Sequence, residues 1–336
     1  MHKTLSILQL NVRKREPVQQ SLMNDEDLKD YGVLAVSEPY ARVIDGKVVT
    51  SPMMHNNWMR ILPTHMSDGP WPIRSMLWVR DDVEVVQMPI PSADLTAAVL
   101  RLPERSVLVV SVYVEGQSTE ALKSTTGLLH DLIQRFRQGS GARTDVVLAG
   151  DFNSHDLLWG GDDVSVQRQG EAGPIIDLMN EHGLRSLLPR GTKTWQRKDQ
   201  ESTIDLVLTS ELADEVATCA IHPTDHGSDH RAIQTTFDIT MPERSARPRL
   251  LFKKNVDSHQ GEIGKPAPLC RLQPPLERIR YHHYRFPTVH FVFVIVHVED
   301  CSLLFLHPVF ISIWSSGIGF LRASLSNGRD MFHKAH

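Results

Sequence analysis

Cysteine is scarce in this sequence: Cys219, Cys270 and Cys301 are the only three in 336 residues. They are too few and too far apart for a disulfide framework or a cysteine zinc site. Excess charge is also missing. The net value is −4 at pH 7, which excludes a protein drawn to polyanions by bulk charge alone. After Met1-His2-Lys3 the apolar run Leu5-Ser6-Ile7-Leu8-Gln9-Leu10 is too short for a secretory signal, so an intracellular, reducing setting is expected. Long apolar runs are absent but for Cys301–Leu321, 21 residues without Asp, Glu, Lys or Arg. That is the length of a membrane span, but His307-Pro308, three serines in its second half and two glycines interrupt it, so an irregular tail is expected and membrane contact is not.

What is present is a core-forming chain, 41% hydrophobic, with its charge divided unevenly. Residues 241–336 hold 13 Lys/Arg and 7 Asp/Glu; subtraction from the totals of 36 and 40 leaves 23 and 33 in residues 1–240. An acidic first part does not exclude a polyanionic substrate, because bound divalent cations and local basic loops offset it.

Short strand-like runs dominate up to residue 240. Residues 4–10, 33–37, 58–62, 75–79, 83–88, 96–102, 106–114, 146–149, 193–195, 203–209, 217–222 and 232–239 read as strands. Helices are expected at 17–29, at 119–137 with an apolar face from Leu122 to Phe136, and at 174–181 before His182-Gly183. Many strands with few interspersed helices favour an α/β sandwich of mixed sheets over a doubly wound parallel sheet. Beyond 240, Pro, His and Arg become frequent, and only 289–298 is strongly β-prone.

The most informative stretch is Val146-Val147-Leu148-Ala149-Gly150-Asp151-Phe152-Asn153-Ser154-His155. A buried strand runs into Gly150, expected to let the backbone turn, and Asp151 and Asn153 follow where the strand leaves the sheet. Such a pair suits a metal, a water or a phosphate, although Asp and Asn are also ordinary turn formers. Other strand ends carry Asn11, Glu38 before Pro39, and Ser228-Asp229-His230. Asp205 lies inside the apolar run Thr203–Leu208 and needs a partner, for which His230 is the obvious imidazole. Two metal readings fail on spacing. Asp151-x-Asn153 opens like a calcium loop, but the sixth position is Asp156 and the twelfth Asp162. His222, His226 and His230 stand four apart like zinc ligands on a helix, which Pro223 and Gly227 disfavour.

Taken in order, Gln9-Leu-Asn11, Ser37-Glu38-Pro39, Ser111-Val-Tyr113, Gly150-Asp151-Phe152-Asn153, Thr203-Ile-Asp205 and Gly227-Ser228-Asp229-His230 resemble the endonuclease/exonuclease/phosphatase superfamily over residues 4–240. Glu38-Pro39-Tyr40, His155 with Trp159-Gly160, and Arg249–Lys254 are similar to endonuclease domains of non-LTR retrotransposons. The resemblance implies a four-layer α/β sandwich with two mixed sheets at 1–240, a linker at 241–256 like that before a reverse transcriptase, and an irregular tail at 257–336.

It further implies roles. Glu38 and Asn11 would hold Mg²⁺ (Mn²⁺ being the alternative), with Asp229 a further ligand. Asp151 would orient or deprotonate water, and Asn153 would position it or the phosphate. His230, held by Asp205, would donate to a phosphate oxygen, and Tyr113 would add a second donor. Thr194 and Ser228 would support them from behind. Arg13 stands where many members carry an acid, which puts a second metal at the Asn11 end in doubt. Arg190, Lys193, Arg197 and Lys198 around Trp195 form a basic, aromatic hairpin suited to a DNA groove, or a solvated charged turn. The expected activity is nicking of one DNA strand to leave a 3′-hydroxyl, in the nucleus, with no small-molecule cofactor. The rivals are an abasic-site nuclease, an inositol or lipid phosphatase, and a non-catalytic relic that only binds nucleic acid.

Overall fold

The computed structural model describes residues 4–139, 143–242, 280–285 and 290–295. They divide into one unit, Met1–Leu251, and a second, Phe252–His336. In chain order the first unit runs β1 (Thr4–Asn11), α1 (Glu16–Met23), β2 (Val33–Ser37), β3 (Ala41–Ile44), β4 (Lys47–Thr50), β5 (Trp58–Ile61), β6 (Ser75–Arg80), β7 (Val85–Met88), β8 (Leu95–Arg101), β9 (Arg105–Tyr113) and α2 (Thr119–Gln138). It continues with β10 (Arg143–Asp151), α3 (Leu157–Gly160), α4 (Gly173–His182), β11 (Arg185–Ser186), β12 (Trp195–Arg197), β13 (Gln200–Ser202), β14 (Asp205–Thr209), β15 (Val216–Ile221) and β16 (Ile233–Thr240).

Two six-stranded sheets result, in the orders β15-β16-β1-β2-β6-β5 and β11-β14-β10-β9-β8-β7. Each is built on a central parallel pair, β1 with β2 and β9 with β10, flanked by antiparallel neighbours. Both are therefore mixed sheets, as the strand-rich pattern implied. Central strands are buried on both faces and read as nearly continuous apolar runs, as in Val107–Val112 and Val146–Ala149. Leu5, Ile7, Ala35 and Val79 of the first sheet pack on Ala98, Val109, Val147 and Val207 of the second. The outer face of the second sheet takes α2 and α4 through Leu129, Ile133, Ile175 and Leu178. The outer face of the first takes α1 through Val18 and Leu22. The order helix, sheet, sheet, helix is the four-layer sandwich.

Local chemistry explains the helix limits. Ser118 caps α2 by accepting the Ala121 amide at 3.1 Å. Pro174 opens α4, and Gly183 closes it in the left-handed conformation at φ 65°. The helix expected over 17–29 ends earlier, at Met23. There the Asp25 carboxylate turns back to accept the Asp27 amide at 2.9 Å and starts a separate 3₁₀ turn, Glu26–Leu28.

In the second unit, Arg280–Arg285 and His290–Ile295 form an antiparallel hairpin, the latter within the expected β-prone stretch. The remainder of the tail expected at 257–336, including Cys301–Leu321, lies outside the described residues, as does the linker from 243 to 256. Among the described residues no helix is long and apolar enough to cross a membrane.

Candidate active site

Register brings the carboxylates together. β10 and β14 run antiparallel with Asp151 directly opposite Asp205, and both are buried. Across the sandwich, β1 presents Gln9 and Asn11 two positions apart, hence on one face. Gln9 Nε2 donates to Asp205 Oδ1 at 2.9 Å, and Asn11 Nδ2 donates to Asp151 Oδ2 at 2.8 Å. One sheet thus supplies the acids and the other the amides that aim them.

His230, just before β16, closes the group. Its Nδ1 lies 2.8 Å from Asp205 Oδ2, and its Nε2 lies 4.0 Å from Asp151 Oδ2. The predicted pairing of Asp205 with His230 is therefore present, and it leaves Nε2 facing Asp151 across a gap. Burial drives the imidazolium toward losing its proton, but Asp205, with Asp151 and Asp229 behind it, outweighs that and raises the pKa to about 9. The Asp151 carboxyl moves upward too, first because it is buried and then because Asp205 repels a second negative charge; His230, Asn11 and Asn153 oppose the rise.

Asn153, in the left-handed region at φ 47°, donates its amide to Asp151 Oδ1 at 3.0 Å and its side chain to the Val114 carbonyl at 2.8 Å. Thr194 Oγ1 accepts the amides of Ile204 and Asp205 at 3.1 and 3.0 Å, fixing the start of β14. Ser228 Oγ donates to the Asn11 carbonyl at 2.7 Å, tying the His230 loop to the end of β1. Tyr113, at the end of β9, is raised in pKa by burial and then by the negative charges of Glu38 and Asp151.

Of the expected metal ligands, Asn11 touches Asp151, and Asp229 Oδ1 lies 4.0 Å from His230 Nε2. Glu38 sits at φ 47°, directly after Ser37, whose Cα partner is Asn11. Its carboxylate meets Lys14 Nζ at 2.9 Å. Asp229 Oδ2 takes Arg13 at 2.8 Å and the Trp195 indole at 3.3 Å, while its Oδ1 is buried without a hydrogen-bond partner. Arg13, the departure noted in the sequence, therefore pairs with the acid assigned as a further ligand. Asp151, Asp205 and His230 also form a compact group of ligand atoms. Its Asp205 oxygens are already taken by Gln9 and His230, so a cation there would break the imidazole's support. Glu38, Asn11 and Asp229 offer the hard oxygen donors that a divalent cation such as Mg²⁺ takes; Lys14 and Arg13 hold the two acids, Asn11 Oδ1 accepts the Arg13 amide at 2.8 Å, and Asp229 Oδ1 is the acceptor left to spare.

A groove of about 610 Å³ opens in front of Asn153 and His230, flanked by His155, Arg168, Lys193 and Trp195. The basic hairpin exists as β12 and β13, displaced from the strand expected at 193–195, with Lys198 at its turn. Its base is bound to the His230 loop through Gln196 N–H to the Asp229 carbonyl at 2.8 Å and Arg231 N–H to the Thr194 carbonyl at 2.7 Å. Arg190 and Lys193 are ion-paired with Asp162 and Asp163, whereas Arg197 and Lys198 pair with no described acid.

One expectation is corrected. Gly150 does not serve a turn, since β10 stays extended through Asp151. A Cβ at 150 would lie 1.9 Å from the Val112 carbonyl oxygen, so glycine is there for close backbone approach. Ser37 Oγ donates to that same carbonyl at 2.9 Å and accepts the Asp151 amide at 3.3 Å, joining the two sheets beneath the site. The sequence alone points to no role for Ser37, Lys14 or Gln9. Gln9 had a signal, a polar side chain on the same strand face as Asn11.

Comparison with known proteins adds three findings. A family model described as Endonuclease-reverse transcriptase matches residues 107–234. The endonuclease domain of TRAS1, a telomere-specific non-LTR retrotransposon, is similar with a TM-score of 0.56 and 17% identity, over 70% of this chain and 99% of that one. AP endonuclease LMAP from Leishmania major is similar with a TM-score of 0.58 and 12% identity, over 71% of this chain and 89% of that one. No curated protein sequence matches. At these identities the structural likeness is one of fold.

Proposed function

We propose that the chain is a member of the endonuclease/exonuclease/phosphatase superfamily of phosphoesterases, a reading supported by the family-model match over residues 107–234 and by the likeness of fold, and that it is a Mg²⁺-dependent endonuclease that nicks one strand of DNA. The observation that carries this reading is the 4.0 Å gap between His230 Nε2 and Asp151 Oδ2, with Asp205 behind the imidazole and Asn11 behind the carboxylate. An acid–base pair with opposed faces is what water attack on a phosphodiester requires.

Asn11 and the Asn153 amide hold the Asp151 carboxylate so that it accepts a proton from water as the oxygen attacks phosphorus. The raised pKa of Asp151 makes it a better base than a free aspartate would be. His230, kept protonated by Asp205, donates to a non-bridging oxygen as negative charge gathers there. Tyr113 would be a second donor to the phosphate. The bond from phosphorus to the 3′ oxygen breaks, that oxygen takes up a proton, and the products are a 3′-hydroxyl and a 5′-phosphate. Glu38 and Asn11, with Asp229, would hold the Mg²⁺ ion, which supplies charge neutralisation at the phosphate and the leaving oxygen. Mn²⁺ fits the same oxygen donors. Trp195, Arg197 and Lys198 on the β12–β13 hairpin grip the DNA beside the groove, and Thr194 and Ser228 hold the site's frame. Target-primed retrotransposition in the nucleus is the context that the TRAS1 likeness suggests for such a nick.

The test offers the full chain, with Mg²⁺, supercoiled plasmid, an oligonucleotide with one abasic site, and a phosphoinositide. Conversion of plasmid to open circle is the expected result. Cleavage confined to the abasic strand would make it a repair-type nuclease, and phosphate release from the lipid alone would make it a phosphatase. Inertness toward all three, with DNA still bound, would favour a non-catalytic relic.

A further inference from the structure

Two histidines left over from the rejected helical zinc pattern come together in the fold with an acid from elsewhere. His222 follows β15 and His226 lies in the next loop, with their rings stacked at 6.0 Å and 15°. Asp25 arrives from the turn after α1. One ligand atom from each of the three lies within 4.8 Å of the others. His230, the third member of the sequence pattern, is instead taken by Asp205. We propose that Asp25, His222 and His226 form a second metal site, separate from the nicking centre, for a borderline-soft divalent cation of the Zn²⁺ class.

Unsatisfied atoms argue for it. The side chain of His226 is 1% exposed, and its Nε2 has no hydrogen-bond partner; neither has the buried Oδ2 of Asp25. These two atoms face each other at 3.7 Å, too far for a hydrogen bond. It is close to the roughly 3.3 Å that separates neighbouring ligands in a tetrahedral zinc shell. Each residue's other polar atom is occupied in a way that fixes its direction. Asp25 Oδ1 caps the 3₁₀ turn at 2.9 Å, and His226 Nδ1 meets Ser21 Oγ at 3.2 Å, the outer hydrogen bond that metal-bound imidazoles usually make. His222 Nδ1 takes only a long bond of 3.3 Å from the Thr224 amide. A cation at either ring nitrogen costs that one contact. Two imidazoles and one carboxylate suit Zn²⁺ more than Mg²⁺, with water as the fourth ligand.

The site has a structural consequence. The loop from His222 to Ala232 carries Ser228, Asp229 and His230, and Asp25 belongs to the segment after α1. A cation here fastens the loop that bears the proton donor to the helical side of the first sheet. The inference does not rest on the nuclease reading.

Titration of the metal-free full chain with CoCl₂, followed by visible absorption, tests it. One tight equivalent with a tetrahedral spectrum is expected in the wild type and in His230→Gln, weakened at least about 100-fold in His226→Gln and Asp25→Asn. A spectrum unchanged by those two variants, lost in His230→Gln, or never seen would overturn the proposal. Should the variants fail to fold, thermal unfolding of the wild type decides: added ZnCl₂ is expected to raise Tm by about 5 °C or more. No rise would mean that Asp25 and His226 are only a loose ion pair.

Discussion

Asp151 accepts hydrogen bonds at both oxygens, yet one face remains turned to His230. That asymmetry is the residue-scale basis of the proposed chemistry. If Asp205 keeps His230 charged, Asp205→Asn should lower kcat by about 10²- to 10³-fold with little change in KM, since the contact strengthens only as charge develops. Single-turnover nicking rates would show this, and an unchanged kcat would remove His230 from the mechanism. The same imidazolium makes stability depend on pH. Its folded pKa of about 9 lies above the free value of 6.5, so its contribution is complete below pH 6.5 and disappears as pH rises through 9. About 3 kcal/mol at most is at stake. Denaturant unfolding of the metal-free protein should therefore show stability falling from pH 6.5 to 9, and His230→Ala should flatten that slope. Backbone strain gathers at the same place: Arg13, Lys14, Glu38 and Asn153 all have positive φ. Such conformations persist where surrounding contacts over-determine them, and here those contacts are the strand ends that hold the site.

At the scale of elements, β10 is where sequence and packing meet. The apolar run, the acid at its end and the amide two residues later were all legible, because a buried strand leaving a sheet has a local signature. The reason for Gly150 was not, because the Val112 carbonyl comes from β9, more than thirty residues away in the chain. Gly150→Ala places a Cβ 1.9 Å from that backbone oxygen and should destabilise by more than about 3 kcal/mol. Gly127, exposed within α2 with open space around it, is the matched control. Gly127→Ala should stabilise by about 1 kcal/mol. Chemical denaturation of both variants checks the pair, and equal effects would mean that β9 and β10 can part at no cost. The β12–β13 hairpin was legible as a basic, aromatic segment. That Arg190 and Lys193 are held by Asp162 and Asp163 was not, because those acids come from the 3₁₀ turn after α3. Only Arg197 and Lys198 remain free of described acids, so removing both should reduce the slope of log affinity against log salt for DNA by up to about 2.

For the whole molecule, the proposed catalytic residues are spread over two sheets but lie within a single unit, Met1–Leu251. The sandwich was readable from six short motifs in order, each marking a strand end. The way its halves touch was not. Gln9 reaching Asp205, Ser37 reaching Val112 and Asp25 meeting His226 all depend on packing between segments distant in sequence. Since the fold gathers every proposed nicking residue in that unit, residues 1–251 alone should nick plasmid at a rate within a few-fold of the full chain. A large loss would mean that residues 252–336 take part.

The central claim is that Asp151 and His230 act as a pair on a metal-bound phosphodiester. Plasmid nicking by wild type, Asp151→Asn, His230→Ala and the double variant, with Mg²⁺ and again with EDTA, tests it most directly. Each single variant is expected to fall by at least about 10²-fold, the double variant to fall little further, and EDTA to abolish activity in all. Wild-type rates in Asp151→Asn, or nicking that survives EDTA, would contradict the account.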